Sequence, residues 1–268
     1  MKHLLPLAFV IGTTLANDTS LPPAIPGPEP LGAIKGEESV IRMVSEKIDI
    51  TFGKHQSKVH CRFVFRSTKP DAPAKQIVGF PASAVSDDYV DVSSITQMTT
   101  RVDGKEVVTQ KETGWFQSKG SAPSGGLGDV PQGEPAPKPV TYHTMEVTFP
   151  PDRDVIIERD YIADNGSSVL GDHTFDYTTL SGAIWQGSIG RAEFTLNLDG
   201  LTVDDLAFED GPQKRDPRWQ MTFCSPNKEC WKVESPTKLT MVWENFEPAV
   251  HKTRQGIFLT TWRNPKEH

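Results

Sequence analysis

Ile48-Asp49-Ile50-Thr51-Phe52 decides the fold class of this chain. Apolar and polar side chains alternate at period two, and a β-strand sends successive side chains to opposite faces of a sheet. The pattern extends back to Val40 and resumes from Lys58 to Arg66, where Val59, Cys61, Phe63 and Phe65 share one phase. Ile77 to Phe80 is a short apolar run stopped by Pro81. Ile95 to Val102 and Glu106 to Gln110 flank Asp103-Gly104, a hairpin signal because both turn positions favour positive φ. Strand-like runs continue at Thr141 to Phe149, Asp154 to Ala163, Asp172 to Leu180 and Arg191 to Leu198. Arg218 to Phe223, Glu229 to Val233, Lys238 to Trp243 and Gly256 to Trp262 complete the series. No helical period persists beyond two turns. Many short strands with Gly/Pro punctuation predict an all-β fold, an antiparallel β-sandwich over residues 37–200. A smaller C-terminal β region, residues 201–268, is expected to pack on it.

Three segments interrupt this pattern. Residues 1–16 read as a secretory signal peptide. Lys2 and His3 precede an apolar run from Leu4 to Leu15, and Thr14-Leu15-Ala16 fits a small-x-small cleavage site. Residues 17–36 hold five prolines and three glycines and read as a disordered tether. Residues 118–139, with Ser124-Gly125-Gly126-Leu127-Gly128, read as a disordered surface loop. That glycine run precedes neither a Lys-Ser/Thr pair nor a helix, which argues against a phosphate loop. No other apolar run approaches the ~20 residues needed to span a bilayer. The expectation is an exported protein, periplasmic or extracellular after cleavage near Ala16.

The formal charge of the 268-residue chain is −7, with basic and acidic residues interspersed. Without a Lys/Arg stripe, nucleic acid is not an expected partner. Of three cysteines, Cys224 and Cys230 flank Ser-Pro-Asn-Lys-Glu. In an oxidising compartment that spacing predicts a short-loop disulfide. Two cysteines without a nearby His pair are too few for zinc, so no metal is expected. Cys61, in phase with its apolar neighbours, reads as a buried thiol.

Tyr177-Thr-Thr-Leu-Ser-Gly182-Ala-Ile-Trp185-Gln-Gly187-Ser-Ile189-Gly190-Arg191 lies between two strand-like runs. Tyr177, Gly182, Trp185, Gly187, Ile189 and Gly190 resemble the pattern Y-x-x-x-[ST]-G-x-x-W-x-G-x-I-G. This is similar to an uncharacterised family of exported bacterial proteins catalogued as domain of unknown function forty-four twenty-four. Val44 to Phe52 followed by Val59 to Ser67 resembles its opening strand pair, and Gly79-Phe80-Pro81 its G-F-P step. The resemblance covers residues 37–250, departs from the usual order at Thr179-Leu180, and implies no catalytic residue. Read by itself, the motif is a structural one. Glycines permit tight turns and close backbone approach, and Trp185 would cap the end of the core. The rival reading is an exposed Trp185 used as a ligand platform.

Candidate chemistry is sparse. Asp172-His173 with Asp176 could place a general base on a turn, but no nucleophile frame such as G-x-S-x-G accompanies it. Acids cluster at Asp87-Asp88 with Asp91, at Asp199 with Asp204-Asp205, and at Glu209-Asp210. None matches a calcium loop. Paired carboxylates could serve glycoside hydrolysis, which needs a set separation between them. The balance favours a non-enzymatic envelope or secreted module, without cofactor, that binds a protein or a glycan or plays a structural part. The alternative is a carboxylate-dependent, glycosidase-like hydrolase.

Overall fold

The computed structural model describes residues 25–26, 29–31, 40–81, 95–119, 122–127, 138–167, 173–179, 182, 185–206, 231–247 and 256–260. The described strands are β1 (Ile25–Pro26), β2 (Glu29–Leu31), β3 (Ile41–Phe52), β4 (Gln56–Ser67), β5 (Ala74–Pro81) and β6 (Ile95–Val102). They continue with β7 (Lys105–Val107), β8 (Gln110–Lys119), β9 (Ala122–Leu127), β10 (Lys138–Phe149), β11 (Val155–Asp164) and β12 (Gly166–Ser167). β13 (His173–Thr178), β14 (Ile189–Leu198), β15 (Lys232–Ser235), β16 (Lys238–Phe246) and β17 (Gly256–Thr260) complete the series.

Eight strands form one sheet in the order β15-β16-β14-β3-β4-β11-β6-β7, and five form another, β2-β5-β10-β8-β9. A small third sheet gathers β1, β12 and β17 around β13. The fold is an all-β sandwich. Alternation dictates its interior: β11 reads Val155, Ile157, Arg159, Tyr161 and Ala163 inward, and the residues between them outward. One core joins both large sheets. The Phe65 ring of β4 lies 6.0 Å from Phe149 of β10, and Phe80 of β5 lies 5.6 Å from Tyr161 of β11. Asp103 and Gly104 carry φ of 49° and 75° in the turn between β6 and β7.

Four sequence expectations change. The large sheet is mixed, because β14 runs parallel to β3. The connection through Trp185 returns the chain to the side of β3 left free by its hairpin with β4. The tether 17–36 contains β1, which pairs in parallel with β13, and β2, which pairs with β5. Proline is tolerated on an edge strand such as β2, where one side of the backbone needs no ladder partner. The loop 118–139 includes the end of β8, all of β9 and the start of β10. Glycine has no side chain to bury, yet its backbone still bonds, and β9 pairs with β8 from Ala122 to Leu127. Finally, the described strands of residues 201–268, expected to pack on the sandwich as a smaller region, continue its sheets. β15 and β16 extend the large sheet beyond β14, and β17 joins β13.

The parallel pairing of β14 with β3 depends on Gly190. A Cβ there would stand 2.7 Å from the Val44 carbonyl oxygen, beside the irregularity between Met43 and Ser45. Gly190→Ala is therefore expected to cost about 1–3 kcal/mol, since backbone must move to admit the methyl group. Gly187 has φ of +64° but open space around it, so Gly187→Ala should cost only about 1 kcal/mol of backbone strain. Urea unfolding of both variants checks the order; equal losses would contradict the close-approach argument.

Candidate functional site

The motif residues come together at one end of the sandwich. Tyr177 is buried on β13, opposite Ile25 and Ile257. The Gly182 N–H donates to the Thr179 carbonyl (2.9 Å), and the Trp185 N–H donates to the Gly182 carbonyl (3.3 Å). The Gln186 N–H then donates to the Ile41 carbonyl at the start of β3 (2.9 Å). Trp185 is 3 % exposed, with its ring centroid 4.6 Å from that of Phe65. It presents no open ring face as a ligand platform.

Other predicted residues are dispersed. His173 meets His55 edge-to-face at 5.1 Å. Asp172 and the side chain of Asp176 lie outside the described residues. So do Asp87, Asp88, Asp91, Glu209, Asp210 and the pair Cys224 and Cys230. Asp205 accepts from the Thr202 N–H (2.7 Å) and hydroxyl (2.9 Å), closing a 3-10 turn over Val203–Asp205. Asp199 and Gly200 form the bend after β14, with Gly200 at φ of 69°. These acids act as turn residues. Cys61 is a buried free thiol, pushed well above its ordinary pKa by burial and then by Glu46. Among the described residues, no group of three or more His, Cys, Asp and Glu could hold a metal ion.

The strongest candidate site lies on the outward face of the large sheet. Strand register sets Asp49 of β3, His60 of β4, Asp160 of β11 and Thr99 of β6 in one row. The next row runs Thr51, Lys58, Ile162, Gln97. Together they line an open cleft of about 390 Å³. Asp160 organises it. Its Oδ1 lies 2.8 Å from His60 Nδ1, and its Oδ2 accepts from Arg101 Nη1 at 2.5 Å. Partial burial raises the pKa of this carboxyl, but the hydrogen bonds and charges of His60 and Arg101 more than offset that and hold it below the usual range. Asp49 pairs with Lys47 Nζ at 3.6 Å. The cleft thus offers anchored acceptors, the Lys58 ammonium and several hydroxyl and amide groups, on four adjacent strands. No sequence motif marks it. The only sequence signal is that Asp49, His60 and Asp160 all fall on the polar phase of their strands.

No protein-family model and no curated protein sequence matches the chain. Its fold is similar to that of a proposed nutrient binding protein of Legionella pneumophila, at a TM-score of 0.62 and 18 % identity. The match covers 90 % of this chain and 71 % of that one. This likeness shows the fold alone. An M1 zinc metallopeptidase of Deinococcus radiodurans aligns at a TM-score of 0.34 and 10 % identity, over 82 % of this chain and 42 % of that one. A match so weak carries no argument. Among the described residues, no helix is long and apolar enough to cross a membrane.

Proposed function

We propose that this protein is an exported, non-enzymatic binding module whose cleft on the outward face of the large sheet takes a polar, hydroxyl-rich ligand such as a glycan. One observation carries the reading. Asp49, His60, Asp160 and Thr99 stand in one cross-strand row, locked by the contacts of Asp160, above a second row with Thr51, Lys58 and Gln97. Fixed donors and acceptors on rigid strands suit recognition, because little side-chain freedom is lost on binding. The leader-like residues 1–16 support export. The motif from Tyr177 to Gly190 supports membership in the exported family it resembles. The fold shared with a proposed nutrient binding protein agrees with a binding role.

The hydrolase alternative fits less well. A general acid needs a carboxyl held protonated near neutral pH. Asp160 is shifted the other way, and both its oxygens are occupied. Titration of ¹⁵N-labelled protein with mono- and disaccharides checks the reading. Amide shifts are expected at Thr51, His60 and Thr99. Lys58→Ala should weaken binding about tenfold, the loss of one charged hydrogen bond, with stability unchanged. Shifts confined to other strands would refute the cleft assignment, and sugar hydrolysis would restore the enzyme reading.

A further inference from the structure

Arg159 carries an observation that the outward cleft does not use. It points into the sandwich from β11 and is 0 % exposed. Its guanidinium carbon lies 4.8 Å from the Phe80 ring centroid, and Nη1 lies 3.6 Å from the Met98 sulfur. Both neighbours are soft and uncharged. Among the described residues, its Nε and Nη2 groups have no hydrogen-bond partner. Buried polar groups are otherwise almost always bonded, and an orphaned buried donor calls for a cause such as a bound ion. Burial depresses this guanidinium only to about 9, so it is cationic at neutral pH.

The unpaired edge is chemically specific. Nε–H and Nη2–H project side by side and match the two oxygens of a carboxylate. Arg66 shows the pairing within the same molecule: its Nε and Nη2 donate to the two carboxylate oxygens of Asp154, at 2.6 and 3.0 Å. Two further buried polar residues stand near Arg159 in the strand register. Thr100 stands directly opposite in the β6–β11 register, and Tyr161 follows two residues on along the same face of β11. Each is 3 % exposed. Among the described residues the Thr100 hydroxyl has no hydrogen-bond partner, whereas the Tyr161 hydroxyl lies against the Cys61 thiol. A carboxylate has four lone-pair sites, enough for the fork and the Thr100 hydroxyl.

We propose that the Nε–Nη2 edge of Arg159, with Thr100, is an interior binding site for a small carboxylate anion of about acetate size. Glu46 does not fill this role. It lies on β3, separated from β11 by β4, and its own Oε1 has no partner among the described residues. Only β6 and the three-residue β7 lie between β11 and that margin of the sheet, so opening of a short edge admits the ligand. The site is distinct from the outward cleft, and its test does not depend on a glycan.

The test titrates sodium acetate against sodium chloride at constant ionic strength and reads the thermal midpoint. Acetate is expected to raise the midpoint of the wild-type protein more than chloride does. Arg159→Met, which keeps the length and removes the charge, should weaken the acetate effect by about tenfold or more, the loss of a charge-assisted bidentate pair. Glu46→Gln should leave it unchanged. Arg159→Lys retains charge without the fork and serves if the Met variant does not fold; its preference for acetate over chloride should fall about as far. Equal stabilisation of wild type by both anions would reduce Arg159 to a charge with an ordinary counter-ion and overturn the proposal. An undiminished response in Arg159→Met, or an undiminished preference in Arg159→Lys, would overturn it too. A response lost in Glu46→Gln would make Glu46 the partner instead.

Discussion

Trp185→Ala is expected to lower the unfolding free energy by about 3–5 kcal/mol, the range for truncating a buried tryptophan. The indole packs on Phe65 with centroids 4.6 Å apart, and Phe65 in turn meets Phe149 of the opposite sheet at 6.0 Å. Removing the ring opens a cavity where the two sheets close on each other. The surroundings cannot collapse freely, because the backbone on either side is tied down. Trp185 N–H is bonded to Gly182, and Gln186 N–H to Ile41. Trp185→Phe keeps much of the volume and should lose about 1–2 kcal/mol. Urea unfolding followed by far-UV circular dichroism separates the variants. A loss below about 1 kcal/mol for Trp185→Ala, combined with loss of ligand binding, would revive the platform reading that its burial now argues against.

The strands of this protein are unequally legible in its sequence. Period-two alternation suffices for strands whose two faces differ, which is why the runs now seen as β3, β4, β6, β10, β11, β14 and β16 stand out. It fails for β1, β2 and β9. Those strands carry Pro and Gly, and only their backbone bonds to β13, β5 and β8 make them strands. Alternation is equally blind to direction, so the parallel pairing of β14 with β3 had to come from the structure.

The candidate sites follow the same logic. Asp49, His60 and Asp160 are separated by up to 111 positions yet form one row, because register is a property of pairing and not of any single strand. Arg159 and Glu46 had a signal that was readable. Arg159 falls in phase with Val155, Ile157, Tyr161 and Ala163, and Glu46 in phase with Ile48, Ile50 and Phe52. A charged residue on the apolar phase of a strand is a local contradiction, and such contradictions concentrate at functional or strained sites.

Glu46→Gln is expected to stabilise the protein progressively as pH rises. Glu46 is 3 % exposed, its Oε1 has no partner among the described residues, and burial pushes its carboxyl from 4.5 to about 8. Between those values the native state holds a proton that the unfolded chain has released. The unfolded chain then binds fewer protons than the native state, so the unfolding free energy falls as pH rises through this window. Below pH 4.5 both states are protonated and the penalty vanishes; above about 8 both are ionised and it is constant. At about 1.4 kcal/mol per pKa unit, the full penalty is on the order of 5 kcal/mol, and most of it is present at pH 7. Glutamine is neutral in both states and carries none of it. His143 acts in the opposite sense. Burial, then the charges of Lys111 and Arg159, lower it to about 4, so its contribution to stability grows as pH rises from 4 to the ordinary histidine range. The wild-type profile blends the two, whereas the difference between Glu46→Gln and wild type isolates Glu46. Urea unfolding from pH 4 to 9 should give a difference curve that climbs between 4.5 and 8 and levels beyond. Parallel profiles across that range would mean that Glu46 is already ionised in the folded protein. A buried carboxylate requires a cation or donors, and Arg159, two strands away, would then be the first residue to test by a double-mutant cycle.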